Sequence, residues 1–264
     1  MSAVTARRPL ATQARYLAWR SILRTARQPI MIVPALVFPL FLLAINASGL
    51  DAATNIPGFP TDSYLTFALA ITFMQGAMFA LMNAGTNLAA DVETGFLNRL
   101  ALTPLTGTSL LAGQLAGAVT LGVAQAALYL TVGLAAGAGF AAGAPGVPVL
   151  IALSVLITLG FGSIGALAAL RTGSGEAVQG MFPLFFVFLF LSSMAMPRNL
   201  IQHDWFQTVA TYNPVSYLLE GIRSLLITGW DGEALALGFA VAATIAVVGI
   251  ALASASLKTR MART

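Results

Sequence analysis

Two charged groupings offer polar chemistry in an otherwise apolar chain. Glu93 and Arg99 lie in the stretch Asp91 to Leu110, DVETGFLNRLALTPLTGTSL, between two long apolar runs. Glu220 and Arg223 stand three residues apart, a spacing that lets opposite charges pair on one helix face. Neither grouping reads as a catalytic centre. The one histidine, His203, has no ligand cluster beside it, and there is no cysteine for a disulfide or a thiolate metal site. No glycine-rich loop runs into Lys and Ser or Thr, so this chain carries no ATP site of that type. No Ser-Lys, His-Glu or paired-carboxylate set falls inside an apolar run. No acid or base sits where it would mark proton or ion coupling in a membrane core. Catalytic, cofactor and metal residues are therefore none. The chemistry left to these charges is contact, meaning the positioning of a helix and its docking on a partner.

The elements that hold them are membrane spans. The chain is 58% hydrophobic and 8% charged, against about 25% charged in an ordinary soluble protein. Runs of about 20 residues without charge have the length to cross a bilayer as helices. The expected fold is an all-α polytopic membrane protein. Its six transmembrane helices are expected at about 29-49, 63-90, 109-138, 148-170, 177-195 and 234-257, within a domain of 29-257. Pro34 and Pro39 predict local kinks in the first. Gln75, Asn83 and Asn87 in the second are expected to face protein rather than lipid. Gly113 with Gly117, and Gly133 with Gly137, are two small-residue pairs that permit close helix contact in the third. The phenylalanines of the fifth, Phe182, Phe185, Phe186, Phe188 and Phe190, read as core or lipid contacts.

Residues 1-28 are basic, with Arg7, Arg8, Arg15, Arg20, Arg24 and Arg27 and no acid. Tyr16, Trp19, Leu23, Ala26 and Ile30 recur at helical spacing, which predicts an interfacial helix whose arginines reach the headgroups. A cleaved signal peptide does not fit so long a basic region. In the loop 91-108, Glu93 to Ala101 is expected to form a short helix with Glu93 near its start and Arg99 near its end. Gly95 offsets the start, and Pro104 and Gly107 stop it. In the outer region 196-233, Trp205, Phe206, Val209 and Tyr212 predict an amphipathic helix. Asn213-Pro214 breaks and restarts it, with Pro214 at the first helical position.

Charge sets the expected orientation. Arg7, Arg8, Arg15, Arg20, Arg24, Arg27, Arg99, Arg171, Lys258, Arg260 and Arg263 are 11 of the 13 basic residues and fall on one side of a six-span topology. Only Arg198 and Arg223 fall on the other. The positive-inside rule then puts both termini, including the tail 258-264, in the cytoplasm. Basic residues placed beside membrane segments meet anionic lipid rather than nucleic acid.

The order of these features resembles the permease subunit of ABC-2 type exporters, in particular the daunorubicin-resistance branch. The resemblance covers essentially the whole chain. It is carried by ETGFLNRLALTPLTGTSLLAGQL after the second span, with Glu93-Thr94-Gly95 and Thr103-Pro104-Leu105. It is carried again by SSMAMPRNLIQHDWFQTVATYNPVSYLLEGIRSLL before the sixth, with Asn213-Pro214, Glu220 and Arg223. It implies an elbow helix over 15-28, a cytoplasmic coupling helix over 93-101 docked on a separate ABC ATPase, and short outer re-entrant helices over 197-227. It also implies two permeases, alike or different, per exporter, with ATP and Mg on the partner ATPase and none in this chain. The implied function is efflux of a lipophilic or amphipathic compound, a drug or lipid, across a prokaryotic plasma membrane, as in antibiotic resistance. A polysaccharide or lipid-linked glycan exporter of the same class is the alternative. A secondary transporter is the alternative from another class, distinguished by an inverted repeat with broken helices.

Overall fold

The computed structural model describes residues 10-101 and 107-261, all of whose regular elements are helices. Five of them are long and apolar enough to cross a membrane: α2 (Pro29–Gly49), α3 (Tyr64–Glu93), α5 (Gly107–Ala135), α6 (Gly143–Thr172) and α11 (Gly232–Met261). Shorter helices join or cover them. These are α1 (Leu10–Ala26), α4 (Phe96–Ala101), α7 (Gly175–Gly180), α8 (Phe182–Phe190), α9 (Asp204–Tyr212) and α10 (Pro214–Arg223).

The centre of the bundle is α3, buried along most of its length by α2, α5, α6 and α7. Its contact with α6 is close because two glycines face one another. A Cβ on Gly165 would lie 2.1 Å from the Leu81 carbonyl oxygen, and one on Gly85 would lie 2.9 Å from the Gly165 carbonyl oxygen. Backbones without side chains between them gain dispersion contacts that lipid cannot supply. Tyr64, Phe67, Met74 and Leu81 fill the rest of the α3 interface.

α2 keeps the expected boundaries and tolerates both prolines. Pro39 has no N–H and so leaves the carbonyl of Ala35, four residues earlier, without its helical partner. The Tyr129 hydroxyl and the Gln125 side-chain amide, both from α5, donate to that oxygen. The freed carbonyl is thus satisfied by protein, as an apolar medium requires. Most of the remaining surface of α2 is exposed and apolar, including Val33, Val37, Phe41 and Ile45.

Three of the four glycines expected to permit close helix contact do so, against two different helices. A Cβ on Gly113 would lie 2.4 Å from Leu17 Cβ, and one on Gly117 would lie 2.6 Å from Ser21 Oγ. This pair is the seat of α1. Gly133 takes Leu69 of α3 instead, and Gly137, with φ +95°, turns the chain after α5 ends. α1 lies across α5 with Tyr16 and Trp19 outward, as an interfacial helix would need.

The expected fifth span, 177-195, is not one helix. Gly180 and Pro183 flank a break at Met181: Pro183 has no N–H to continue the bonding from the Gln179 carbonyl, and it sits instead in the first turn of a new helix. The chain leaves regular helix again after Phe190. Even so, the segment runs antiparallel to α3 from end to end. The Gly175 N–H donates to Glu93 at one end of α3, and Val178 packs on Gly85. The Phe182 and Phe79 rings lie 5.4 Å apart, and the Tyr64 hydroxyl at the other end of α3 donates to the Ala195 carbonyl at 3.2 Å. Its phenylalanines divide by face: Phe185 meets Phe161, while Phe188 and Phe190 are exposed.

Candidate functional site

At the end of the bundle where α3 stops, the polar centre is Asp91, a residue that reads in sequence as the edge of a loop. It lies in the last turn of α3 and is 3% exposed. Arg20 of α1 grips it with two bonds, Nη2 to Oδ1 at 2.9 Å and Nη1 to Oδ2 at 3.2 Å. Arg24, one turn along α1, donates to Oδ1 at 2.7 Å, and the Gln114 amide of α5 donates to Oδ2. An ionised carboxylate accepts about four hydrogen bonds, and these four fill it. The expectation that Arg20 and Arg24 reach lipid headgroups is corrected here: both face the acid, which anchors α1 to the end of α3. Arg20 also covers the Phe96 ring at 4.0 Å, so one side chain touches α1, α3 and the first residue of α4.

Above this centre runs a polar line within the helices. The Gln28 amide donates to Asn87, Asn87 donates to Asn83, and the Thr25 hydroxyl reaches Asn83 Oδ1 at 3.4 Å. Asn83 and Gln75 are buried in protein, as their sequence positions predict.

The short helix expected from Glu93 begins three residues later, at Phe96. Glu93 is the last residue of α3, not the start of α4, and its exposed carboxylate accepts from Gly175. Gly95 adopts φ +68°, a left-handed turn natural to glycine, and α4 starts at Phe96. Among the described residues nothing lies within 4 Å of a Cβ on Gly95. Arg99 is exposed and donates back to the Thr94 carbonyl at 3.2 Å. Glu93 and Arg99 are not paired with one another. Pro104 lies outside the described residues.

At the opposite end, Asn213 caps α10, its Oδ1 accepting from the Val215 N–H at 2.9 Å, and Pro214 takes the first helical position. The expected Glu220–Arg223 pair is corrected. Glu220 pairs through two bonds with Arg198, which also lies over the Tyr217 ring. Burial opposes the charge of Arg198, and Glu220 outweighs it, leaving the guanidinium pKa above its ordinary value. Arg223 points into the protein instead. It donates to three carbonyls, Phe67 at 3.2 Å, Ser193 at 2.6 Å and Met194 at 2.6 Å, and its guanidinium lies 3.5 Å from the Phe67 ring centroid. The Asn213 amide adds a bond to the Phe188 carbonyl at 2.7 Å.

These two side chains therefore converge on the stretch after α8 where helical hydrogen bonding fails. A buried carbonyl left without a donor is costly. Arg223 and Asn213 supply the donors that the broken segment lacks. Sequence spacing gave no sign of this, because the partners lie 30 and 25 residues away. Arg198 was likewise missed as a partner of Glu220; its only sequence signal is that it is one of two basic residues in the acid-rich segments.

The comparisons agree with this architecture. The sequence profile of ABC-2 type transporters matches residues 12-227, from α1 through α10. The daunorubicin resistance ABC transporter permease protein DrrB1 of Streptomyces coeruleorubidus is 28% identical over 216 residues, covering 79% of this chain and 72% of that protein. Two proteins described as putative transport permease ycf38 are similar at the same level. That of Pyropia yezoensis is 26% identical, over 82% of this chain and 74% of its own. That of Porphyra purpurea is 28% identical, over 81% and 74%. With the match spanning both polar ends and the helices between them, the chain belongs to the ABC-2 type transporter family, as a multi-pass, non-catalytic membrane component.

Proposed function

We propose that this chain is the permease subunit of an ATP-driven exporter, paired with a second permease and driven by a separate ATPase. It crosses a prokaryotic plasma membrane six times, with both termini in the cytoplasm and the Asp91 end inward. The antiparallel course of residues 175-195 along α3 supports a sixth, interrupted crossing. The cargo is lipophilic or amphipathic, a drug or lipid, in keeping with the named activity of the Streptomyces relative.

The observation that carries this reading is the join at Asp91. The short helix α4, with Arg99 exposed, follows closely on the most buried helix of the bundle, and Arg20 braces the corner between them. A partner that pushes on Glu93 to Arg99 would move α3, and through Arg20 and Gln114 also α1 and α5. Residues 197-227 form the outer re-entrant piece: α9 presents Trp205 and Tyr212 outward, suited to the membrane interface, and α10 returns into the protein through Arg223.

Purification of the chain from native membranes in mild detergent tests the reading. An ATPase without membrane spans should copurify, and transport in vesicles should require ATP. Transport driven by an ion gradient without any ATPase would overturn it.

A further inference from the structure

Arg171 at the end of α6 and Arg260 at the end of α11 border one open cavity of about 640 Å³, which no acid lines. We propose that it holds the phosphate of an anionic membrane lipid, with both guanidiniums on the phosphate and Leu252 and Ala255 against the upper acyl chains.

The two arginines differ in a useful way. Arg260 is fixed, since its Nη1 donates to the Leu170 carbonyl at 2.7 Å and its guanidinium lies across the left-handed turn at Gly173. That leaves its other donors free to meet an oxygen. Arg171 makes no hydrogen bond or ion pair among the described residues and is exposed. Two cations thus face one space, lined also by Leu252, Ala255, Ser256 and Thr259, with no acid among the described residues that border it.

α6 ends here, capped by Gly173, and its C-terminus, with roughly −0.5 of an elementary charge, opposes an anion. The two guanidiniums bring +2, and arginine suits phosphate oxygens through its planar fork. The balance favours an anion. The wall favours a lipid source: the Ser256 and Thr259 hydroxyls can serve phosphate oxygens from either source, but the exposed Leu252 and Ala255 would stay bare beside a soluble phosphate, whereas a lipid covers them with its chains. Basic pockets between membrane helices bind lipid headgroups by this combination.

The test uses the full chain with its copurified partners, reconstituted in vesicles of phosphatidylcholine with a minor share of phosphatidylglycerol. Lipid retained after extraction is counted by native mass spectrometry. The wild type should retain phosphatidylglycerol in preference to phosphatidylcholine. An arginine near an anionic headgroup contributes about 1 kcal/mol, so Arg171→Gln should lower retention about fivefold. The Arg171→Gln/Arg260→Gln pair should lower it further. Lys258→Gln, an exposed cation outside the cavity, should leave retention unchanged. Arg171→Gln should melt with the wild type, having lost no bond. Four results would overturn the proposal: no lipid preference, an unaffected Arg171→Gln, an equal loss in Lys258→Gln, or displacement by inorganic phosphate as readily as by added phosphatidylglycerol. The last would make the ligand a soluble anion.

Discussion

Arg20 and Asp91 are 71 residues apart in sequence and joined by two hydrogen bonds at the corner where α3 gives way to α4. The acid is nearly enclosed while Arg20 is 38% and Arg24 25% exposed, so the arginines keep partial access to water. Removing one partner from a fully buried pair costs about 3–5 kcal/mol. With the cations partly wet, Asp91→Asn should cost less, about 1–2 kcal/mol. Arg20→Gln should cost less again, because Arg24 still serves the carboxylate. Thermal unfolding of the two variants and their double checks this. A double variant whose loss equals the sum of the singles would show that the residues are not coupled.

Arg223 should matter more than Glu220. Replacing Arg223 by Gln leaves carbonyls of Ser193 and Met194 without donors in a dry place, at about 1–3 kcal/mol each. Replacing Glu220 by Ala frees Arg198, which stands at the rim of the protein and regains water. We expect Arg223→Gln to lower the yield of folded protein severalfold and to speed amide exchange over 188-196. Glu220→Ala should disturb only the neighbourhood of Arg198. Equal exchange in the two variants would contradict this assignment.

α1 is seated by glycine. Gly117→Val would drive a side chain into Ser21 and Thr25 of α1. It should release α1, read as faster protease cleavage near residue 27, while α5 still inserts. Gly133→Ala, which meets the flexible end of Leu69, should leave α1 docked. Protection of α1 in Gly117→Val would show that it is held by its salt bridges alone.

Orientation follows from single cysteines in this cysteine-free chain. An impermeant thiol reagent added to intact cells should label positions 55, 144 and 202, and spare 2, 176 and 264. Ala144 is the useful position in its loop, because a side chain at Gly146 would meet Ala142 Cβ at 2.4 Å. Labelling at 202 without 176 would place the two ends of the interrupted segment on opposite sides. Labelling at both would mean that it does not cross.

Much of this was legible in the sequence where one residue type decides the matter. Pro29 and the charge-free run after it set the bounds of α2, and Asn213-Pro214 announced the restart at α10; Gly95, expected to offset the start of a helix from Glu93, instead makes the turn that delays it to Phe96. The interruption at Met181 was also written there, in Gly180 and Pro183, but the apolar run around it reads as a continuous span. What sequence could not reveal were partnerships across the fold. Asp91 looks like a loop residue until α1 is laid over α5, and Arg223 looks like the mate of Glu220 until residues 191-194 are seen to leave the helix beside it. Helical spacing predicts neighbours on one helix and says nothing of carbonyls on another.

The central claim is that Glu93 to Arg99 carries ATPase motion into α3. Glu93→Lys and Arg99→Glu test it without entering the core, since both side chains are exposed. Each variant is reconstituted with the ATPase in lipid vesicles, and substrate binding, complex formation and transport per ATP hydrolysed are measured separately. Substrate binding should stay near normal, while complex formation or transport per ATP falls. Loss of substrate binding with assembly and transport per ATP intact would put this segment in the substrate path and contradict the account.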